Sequence, residues 1–254
     1  MSEYKTNFRR KEIKYLMSKE QYENLKPYLE TIAEVDEYGR TRINNIYFDT
    51  PEYRLIRTSL EKPVYKEKLR LRTYGATGDT TNSFIEIKKK YKGIVYKRRV
   101  NGDYRRAYDY LVNEKEPLDS SQISDEIEAF VEMYKDLKPA MRISYDRIAM
   151  AGKDDKELRL TFDSNITWDI SALDLTAAEH GHQILKKGQV LMELKVADAI
   201  PMELADKLSE LGIYPTSFSK YGRGYMEMIG KKAKRMSWDS KTEENFEKEV
   251  VAYA

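Results

Sequence analysis

Charged and apolar side chains alternate along Val190-Leu191-Met192-Glu193-Leu194-Lys195-Val196 near the carboxyl end of the chain. A second segment, Thr216-Ser217-Phe218-Ser219-Lys220-Tyr221-Gly222-Arg223-Gly224, continues the pattern into an expected loop of Ser, Lys and Gly. Successive side chains of a β-strand point to opposite faces of its sheet. The alternation therefore predicts strands with one charged face and one apolar face.

At least five earlier segments repeat this alternation, most clearly 66–74, where Lys68, Arg70 and Arg72 alternate with Leu69 and Leu71. One interpretation is a half-buried sheet whose polar face lies in water. The charges are mostly cationic, however, and this favours a closed antiparallel β-barrel with a polar interior that could hold a long anion. The other predicted strands cover residues 8–17, 41–48, 83–90, 95–100, 141–149 and 158–162.

Helix signals lie between the predicted strands, so the fold class is α+β with helices packed on the outside of the barrel. Ser18 is an expected N-cap for a helix to about Glu30. Asp49-Thr50-Pro51-Glu52 predicts a short helix to about Ser59. Two further helical stretches are expected at 105–138, interrupted by Pro117, and at 201–211.

The composition limits the classes of function. The 254 residues include no cysteine, which excludes disulfides and Cys-based zinc sites, and the net charge of only +2 argues against a nucleic-acid binder. No apolar run is long enough for a membrane span, so a cytoplasmic location is expected. We expect one domain over residues 1–230 and a polar tail, predicted to be helical, over residues 231–254.

Three glutamates lie among the cations of the predicted strands: Glu12, Glu86 and Glu193. They could form structural ion pairs, or they could hold a divalent metal, because carboxylate oxygens suit Mg²⁺ or Mn²⁺ beside phosphate. No Ser-His-Asp set, Cys-His set or P-loop occurs. An enzyme acting on phosphates here would work by positioning and charge stabilisation.

Eight short motifs follow one another in an order that resembles a known family. The VTC (vacuolar transporter chaperone) domain, a polyphosphate polymerase of the triphosphate tunnel metalloenzyme or CYTH-like superfamily, resembles this chain from about residue 8 to 229. The motifs are Phe8-x-Arg10-x-Glu12-x-Lys14-Tyr15, Ile46-Tyr47-Phe48-Asp49-Thr50, Leu69-Arg70-Leu71-Arg72, Phe84-Ile85-Glu86-Ile87-Lys88, Met141-Arg142, Leu158-Arg159-Leu160-x-Phe162-Asp163, Glu193-Leu194-Lys195 and Ser217-Phe218-Ser219-Lys220-Tyr221.

The resemblance implies an antiparallel tunnel in which the terminal phosphate of ATP is added to a growing polyphosphate chain, with Mn²⁺ or Mg²⁺ as cofactor. It implies that Glu193 holds the metal, with Glu12 as a second candidate. At the matching positions, the implied catalytic residues are Lys220, Arg70, Arg72 and Arg142, and the implied phosphate-binding residues are Lys14, Lys88, Lys97, Arg159, Lys195 and Ser219.

One departure from the superfamily bears on the reaction. Its hydrolases and cyclases carry Glu-x-Glu-x-Lys near the amino terminus, whereas Arg10 replaces the first Glu here. The loss of one metal-binding carboxylate suits the polymerase branch. Two alternatives stay open, a tripolyphosphatase or nucleoside triphosphatase and a non-catalytic polyphosphate-binding subunit. The membrane spans of the fungal proteins do not occur in this sequence, so any membrane coupling would need a separate partner.

Overall fold

A computed structural model describes residues 11–92, 94–197 and 199–231. These residues form one antiparallel ten-stranded sheet and six helices, which confirms the α+β class. The strands are β1 Lys11–Met17, β2 Ala33–Asp49, β3 Tyr65–Tyr74, β4 Asn82–Tyr91, β5 Ile94–Asp103, β6 Lys138–Gly152, β7 Arg159–Asp169, β8 His182–Gln183, β9 Val190–Val196 and β10 Pro215–Thr216.

The helices connect the strands, and the last one ends the described chain. They are α1 Lys19–Ile32, α2 Arg54–Leu60, α3 Tyr104–Asn113, α4 Gln122–Met133, α5 Met202–Glu210 and α6, which covers residues 220–231. Every helix in the described ranges is too short or too polar to span a bilayer. Residues 232–254 of the expected tail and residues 8–10 of the first predicted strand lie outside the described residues, whereas residue 231 ends α6.

The sheet is curled, but hydrogen bonds do not close it. Its order is β10-β1-β9-β7-β6-β2-β3-β4-β5, with β8 paired to β7, and within the described chain no ladder joins β5 to β10. The expectation of a closed barrel is corrected in this respect. The edge strand β10 has only two residues, and Pro215 has no N–H to donate to a further strand.

Contacts between distant strands show the curl directly. Lys14 on β1 donates a hydrogen bond to the carbonyl of Phe218 (3.3 Å), and Lys68 on β3 donates one to the hydroxyl of Ser219 (3.2 Å). Strands that are far apart in the sheet order therefore reach the same short segment. The sheet has an inner face, which surrounds this segment, and an outer face.

The outer face packs against helices α1 to α5 through two apolar clusters. Around α1 and α5, Leu25 and Leu208 pack with Met192 and Phe162 of the sheet. Around α2 to α4, the cluster includes Leu55, Tyr104 and Phe130 packed with strand residues. The apolar parity of most predicted strands therefore faces helices on the outside, as expected. On β6, Met141 and Ile143 instead lie on the inner face, in one cluster with Tyr221 and Tyr225 of α6.

The inner face holds α6 at one end. Tyr221 stacks on Tyr47 with ring centroids 4.6 Å apart, and a Cβ added at Gly224 would lie 2.7 Å from the sulfur of Met141. Glycine is therefore needed where this helix approaches β6 most closely. The expectation of a loop at Lys220 is wrong: Ser219 caps the helix, accepting a hydrogen bond from the N–H of Gly222 (3.1 Å).

Two other local predictions can be compared with the structure. Ser18 caps α1 and forms a capping box with Gln21, which confirms the predicted helix start. The next helix starts later than expected, at Arg54, because the Asp49 carboxylate accepts hydrogen bonds from the N–H groups of Leu55 (2.8 Å) and Ile56 (3.0 Å). Asp49 thus fixes the end of β2 to the start of α2.

Candidate active site

Three lysines form a row across the inner face. Lys68 lies directly opposite Lys88 in the β3–β4 ladder, and Lys88 lies directly opposite Lys97 in the β4–β5 ladder. Like charges that face each other across strands are destabilising. The row therefore lowers the stability of the free protein. A bound anion would offset the repulsion between the lysines, so the row is suited to binding an anion.

The next row places Glu86 between arginines. Its carboxylate lies 2.7 Å from the guanidinium of Arg70 and 3.6 Å from that of Arg72, and it also pairs with Lys97. Glu86 is 1% exposed. Burial alone would raise the pKa of this carboxyl, but Arg70, Arg72 and Lys97 hold it at about 2. Its charge is engaged by protein cations, which fits the ion-pair interpretation of Glu86.

Hydrogen bonds fix the side chains of Arg70 and Arg72 on the inner face of β3. Arg72 donates to the side-chain oxygen of Asn45 (2.8 Å) and to the hydroxyl of Tyr145 (3.2 Å). Arg70 donates to the hydroxyl of Tyr47 (3.1 Å). The guanidinium groups are thus oriented before any ligand arrives, which lowers the entropy cost of binding an anion.

We call the inner face of β3, β4 and β5 one wall of the site, and that of β1, β9 and β7 the opposite wall. Along the opposite wall, acidic and basic side chains alternate. Lys14 lies opposite Glu193 in the β1–β9 ladder, and Glu12 lies opposite Lys195. The ammonium of Lys14 is 3.2 Å from Glu12 and 3.8 Å from Glu193, and that of Lys195 is 3.1 Å from Glu193. Arg159 continues this wall opposite Lys195 in the β7–β9 ladder.

Glu193 has the properties of a metal-binding carboxylate. It is 9% exposed, and although burial alone would raise the pKa of this carboxyl, Lys195, Lys14 and Lys220 hold it well below its usual range. Glu193 is therefore ionised at all physiological pH values. On the neighbouring strand the buried hydroxyl of Thr161, which lies opposite Glu193, has no hydrogen-bond partner among the residues that the structure describes.

These residues fit a divalent cation whose coordination shell is completed by substrate phosphates and water. The described residues contain no cluster of three acidic or histidine side chains, so an all-protein cage is absent from that part of the chain. Mg²⁺ and similar ions are commonly held by one or two carboxylates plus phosphates and waters. Glu193, with Glu12 close to the same Lys14 ammonium and the unpartnered Thr161 hydroxyl nearby, supplies a donor set of this kind.

Lys220, the first residue of α6, enters a buried cluster on β6 and β7. Its ammonium lies 2.5 Å from Asp163 and 4.5 Å from the ring centre of Tyr145. Arg147 also binds Asp163 through two hydrogen bonds of 2.6 and 2.8 Å. Burial alone would raise the pKa of the Asp163 carboxyl, but Lys220 and Arg147 keep it below its usual value. Two cations share one carboxylate, so the cluster keeps a net positive charge.

Three groups of the inner face, Lys68, Lys97 and Tyr47, have pKa values close to physiological pH, and burial lowers the pKa of Lys97 to about 8. Burial lowers the pKa of Lys68 to about 8, with Lys66 and Lys88 acting in the same direction. Burial alone would raise the pKa of Tyr47, but Arg70, Lys68 and Arg72 lower it to about 8. The causes differ: loss of hydration dominates for Lys68, whereas the neighbouring cations dominate for Tyr47.

Arg142 lies apart from the other expected site residues. Its guanidinium is on the outer face, where it donates to the carbonyls of Ala177 (2.9 Å) and Asp174 (3.4 Å). The inner face of β6 instead presents Tyr145 and Arg147. Sequence reasoning missed Tyr145 and Arg147, because they share a strand parity with apolar residues such as Ile143 and because β6 and β7 change register between Ser144 and Asp146. It placed Asp163 on the polar parity of its strand but did not assign it to the site.

The structure brings the remaining expected residues together on the inner face. The set includes both walls, the first residues of α6 and the candidate metal ligands. Its members are Lys14, Arg70, Arg72, Lys88, Lys97, Arg159, Lys195, Ser219, Lys220, Glu12 and Glu193.

This curled antiparallel sheet with a charged inner face is the fold of the triphosphate tunnel metalloenzymes. The VTC domain family model matches residues 9–229, and the chain therefore belongs to that family. No curated protein sequence matches the chain significantly.

Two solved structures share the fold at low sequence identity. One is a proposed adenylate cyclase from Bacillus halodurans, with 17% identity and a TM-score of 0.52, where the match covers 82% of this chain and 92% of the other. The second is a proposed adenylyl cyclase from Hippeastrum, described as having a dominant triphosphatase activity. It has 16% identity and a TM-score of 0.50, with 85% of this chain and 95% of the other covered.

Proposed function

We propose that this protein is a metal-dependent polyphosphate polymerase that transfers the terminal phosphate of ATP to a growing inorganic polyphosphate chain. The observation that carries the proposal is the like-charged row of Lys68, Lys88 and Lys97, which faces a wall holding Glu193. A long polyanion with about one charge per phosphate can use such a row without any recognition of a base. Membership of the VTC domain family supports the same conclusion.

In this scheme Lys68, Lys88 and Arg70 hold the non-bridging oxygens of the phosphates and orient the chain. A divalent metal, when bound by Glu193 with Glu12, supplies charge neutralisation at the transferred phosphate. A terminal oxygen of the acceptor polyphosphate attacks the γ-phosphorus of ATP, the bond from that phosphorus to the β–γ bridging oxygen breaks, and ADP leaves with the bridging oxygen.

Lys220 has a separate role in the proposal. Donor and acceptor are both anions, so their approach is repulsive. Lys220 at the amino end of α6, supported by the nearby Arg147, lowers that repulsion on the acceptor side. Asp163 forms ion pairs with both cations and so fixes their positions between the two substrates.

A second function is supported by one comparison. The Hippeastrum protein with the same fold is described as having a dominant triphosphatase activity. The same cations would bind a triphosphate whose terminal group is passed to water. This chain would then be a tripolyphosphatase or nucleoside triphosphatase.

One assay distinguishes these functions. The purified full chain is incubated with ATP and Mn²⁺ or Mg²⁺, and ADP, free phosphate and polyphosphate are measured, with polyphosphate separated by length. We expect the phosphate incorporated into polyphosphate to equal the ADP formed. If free phosphate equals the ADP formed and no polymer appears, the protein is a hydrolase. Polyphosphate binding, with no ADP from ATP and no phosphate from inorganic tripolyphosphate under any metal, would identify a binding subunit and overturn both enzymatic functions.

A further inference from the structure

The end of the β4–β5 hairpin, together with the start of β3, is uncovered on both faces. Six successive residues of β5, from Ile94 to Arg99, are exposed, although side chains of a strand alternate between faces. The last two residues of β4 are exposed as well. This part of the sheet therefore projects beyond the helices that cover the rest.

Large apolar side chains concentrate at this projection. Each is at least 43% exposed, and all come from three adjacent strand ends, since Tyr65 lies opposite Tyr91, and Tyr91 lies opposite Ile94. Scattered exposed apolar residues are ordinary, but a contiguous group marks an interaction surface. We call this group the tip patch: Val64, Tyr65, Tyr91, Ile94, Val95 and Tyr96.

Lysines surround the tip patch. Lys62 and Lys92 are exposed, and neither forms an ion pair with any described residue. Lys66 lies directly opposite Lys90 in the β3–β4 ladder, a further repulsive pair. Three acidic side chains lie near this region. Glu126 engages Lys89 and Arg98, Glu67 accepts hydrogen bonds from the hydroxyls of Tyr65 (2.6 Å) and Tyr134 (2.8 Å), and Glu61 is exposed beside Lys62. The basic side chains outnumber the acidic ones, so the tip presents apolar groups within an excess of positive charge.

We infer that the tip patch docks on the surface of an anionic lipid bilayer. A soluble polyanion would use the lysines but would gain nothing from five or six exposed apolar side chains. A bilayer surface uses both, because tyrosine rings and aliphatic side chains enter the headgroup region while lysines contact anionic lipids. Lysines along an edge strand also discourage pairing with a second copy of the chain.

Docking in this way would orient the inner face. The row of Lys66 and Lys90 lies between the tip and the row of Lys68, Lys88 and Lys97. The membrane would therefore lie at the lysine end of the site. The inference does not depend on the proposed reaction.

The test is sedimentation of the full chain with vesicles of phosphatidylcholine alone and with vesicles that also contain phosphatidylserine, at low and high salt. Binding to the anionic vesicles alone, weakened by salt, is expected. The double variant Lys62→Glu with Lys92→Glu should weaken binding at least about tenfold, since each basic residue near such a surface contributes about a factor of five. Ile94→Ser with Tyr96→Ser should weaken it as well.

Matched controls make the outcome specific. Lys187→Glu changes an exposed lysine elsewhere, and Tyr38→Ser removes a tyrosine that is 72% exposed outside the tip patch. Both should bind vesicles as the unchanged protein does, and all variants should keep its melting temperature and its solution activity. Equal binding to neutral vesicles, equal losses in controls and tip variants, or no vesicle binding would overturn the inference. The last outcome would leave a protein partner as the occupant of the tip patch.

Discussion

The hydroxyl of Tyr221 donates a hydrogen bond of 2.8 Å to the carboxylate of Asp49. Asp49 lies at the end of β2 and also binds backbone N–H groups at the start of α2. Tyr221 directly follows Lys220, so this bond ties the first turn of α6 to the body of the protein. The position of Lys220 on the inner face is therefore set by a contact on the far side of its own helix.

Replacing Tyr221 with phenylalanine should lower the free energy of unfolding by about 1–3 kcal/mol, because a buried carboxylate loses a partner while the aromatic stack on Tyr47 remains. Chemical denaturation measures this. Tyr225→Phe, in the same helix, is the matched control. If the two variants are equally stable, the bond to Asp49 does not hold α6.

Lys220→Ala should reduce polyphosphate synthesis far more than any ATP hydrolysis, because only synthesis brings two anions together. Both products are measured in one reaction. The remaining partner Arg147 keeps Asp163 paired, so the fold should survive. Equal losses of polymer and free phosphate would make Lys220 a general phosphate ligand, and no loss of either would place it outside the site.

Glu193→Gln should abolish metal-dependent turnover and leave the fold intact. The substitution removes the charge that a hard cation requires and keeps the shape of the side chain. Turnover is followed across a Mn²⁺ titration, and thermal unfolding checks the fold. Glu12→Gln, on the same wall, should have a smaller effect. If Glu193→Gln is as active as the unsubstituted protein and still requires metal, Glu193 is not a metal ligand.

Polyphosphate affinity should fall steeply with salt, as for other polyanions, and each cation removed should lower the slope by about 0.7. Lys88→Gln should do this without loss of stability, because burial lowers the pKa of Lys88 and disfavours its charged form in the free protein. Arg70→Ala with Arg72→Ala should also destabilise the fold, by about 1–3 kcal/mol or more, because buried Glu86 loses two partners. Salt-independent affinity would contradict a cationic binding site.

Affinity for polyphosphate should decrease between pH 7 and pH 9. The pKa values of Lys68, Lys97 and Tyr47 are each about 8, so above that pH the two lysines lose positive charge and Tyr47 gains negative charge. Both changes disfavour an anion, and each proton taken up on binding corresponds to about tenfold in affinity per pH unit. Lys68→Arg and Tyr47→Phe should each flatten the profile, measured by titration calorimetry. A profile unchanged in both variants would assign the dependence to other groups.

The alternation of residue types predicts much of the inner face. The limits and charged parity of β9 follow from Val190–Val196, because alternate positions from Val190 to Val196 are apolar and pack in the cluster around α1 and α5, while Glu193 and Lys195 lie on the other parity. On β3, Lys68, Arg70 and Arg72 likewise alternate with Leu69 and Leu71. The alternation is regular over these positions, so it indicates which face is charged. The roles assigned to these residues stay predictions.

Where both parities of a strand are polar, alternation does not identify the inner face. On β6, Arg142 and Arg147 have opposite parity, and only the register with β7 decides that Arg147 lies inside. The sequence does not predict the helix that starts at Lys220, for a different reason. Its first turns contain Gly222 and Gly224, which disfavour an isolated helix, and it is stabilised by packing inside the sheet.

The hydrogen bond from Lys14 to Phe218 joins residues that are 204 positions apart in the chain. The strand that carries Lys14 pairs with β9 and β10, so the first described strand finds these partners only after the ribosome has made residues 190–216. Such distant pairings form late and slowly. Lys14, Glu193 and Lys220 thus come together only after about 200 residues separating them have been synthesised, and a nascent chain that lacks β9 holds no assembled site.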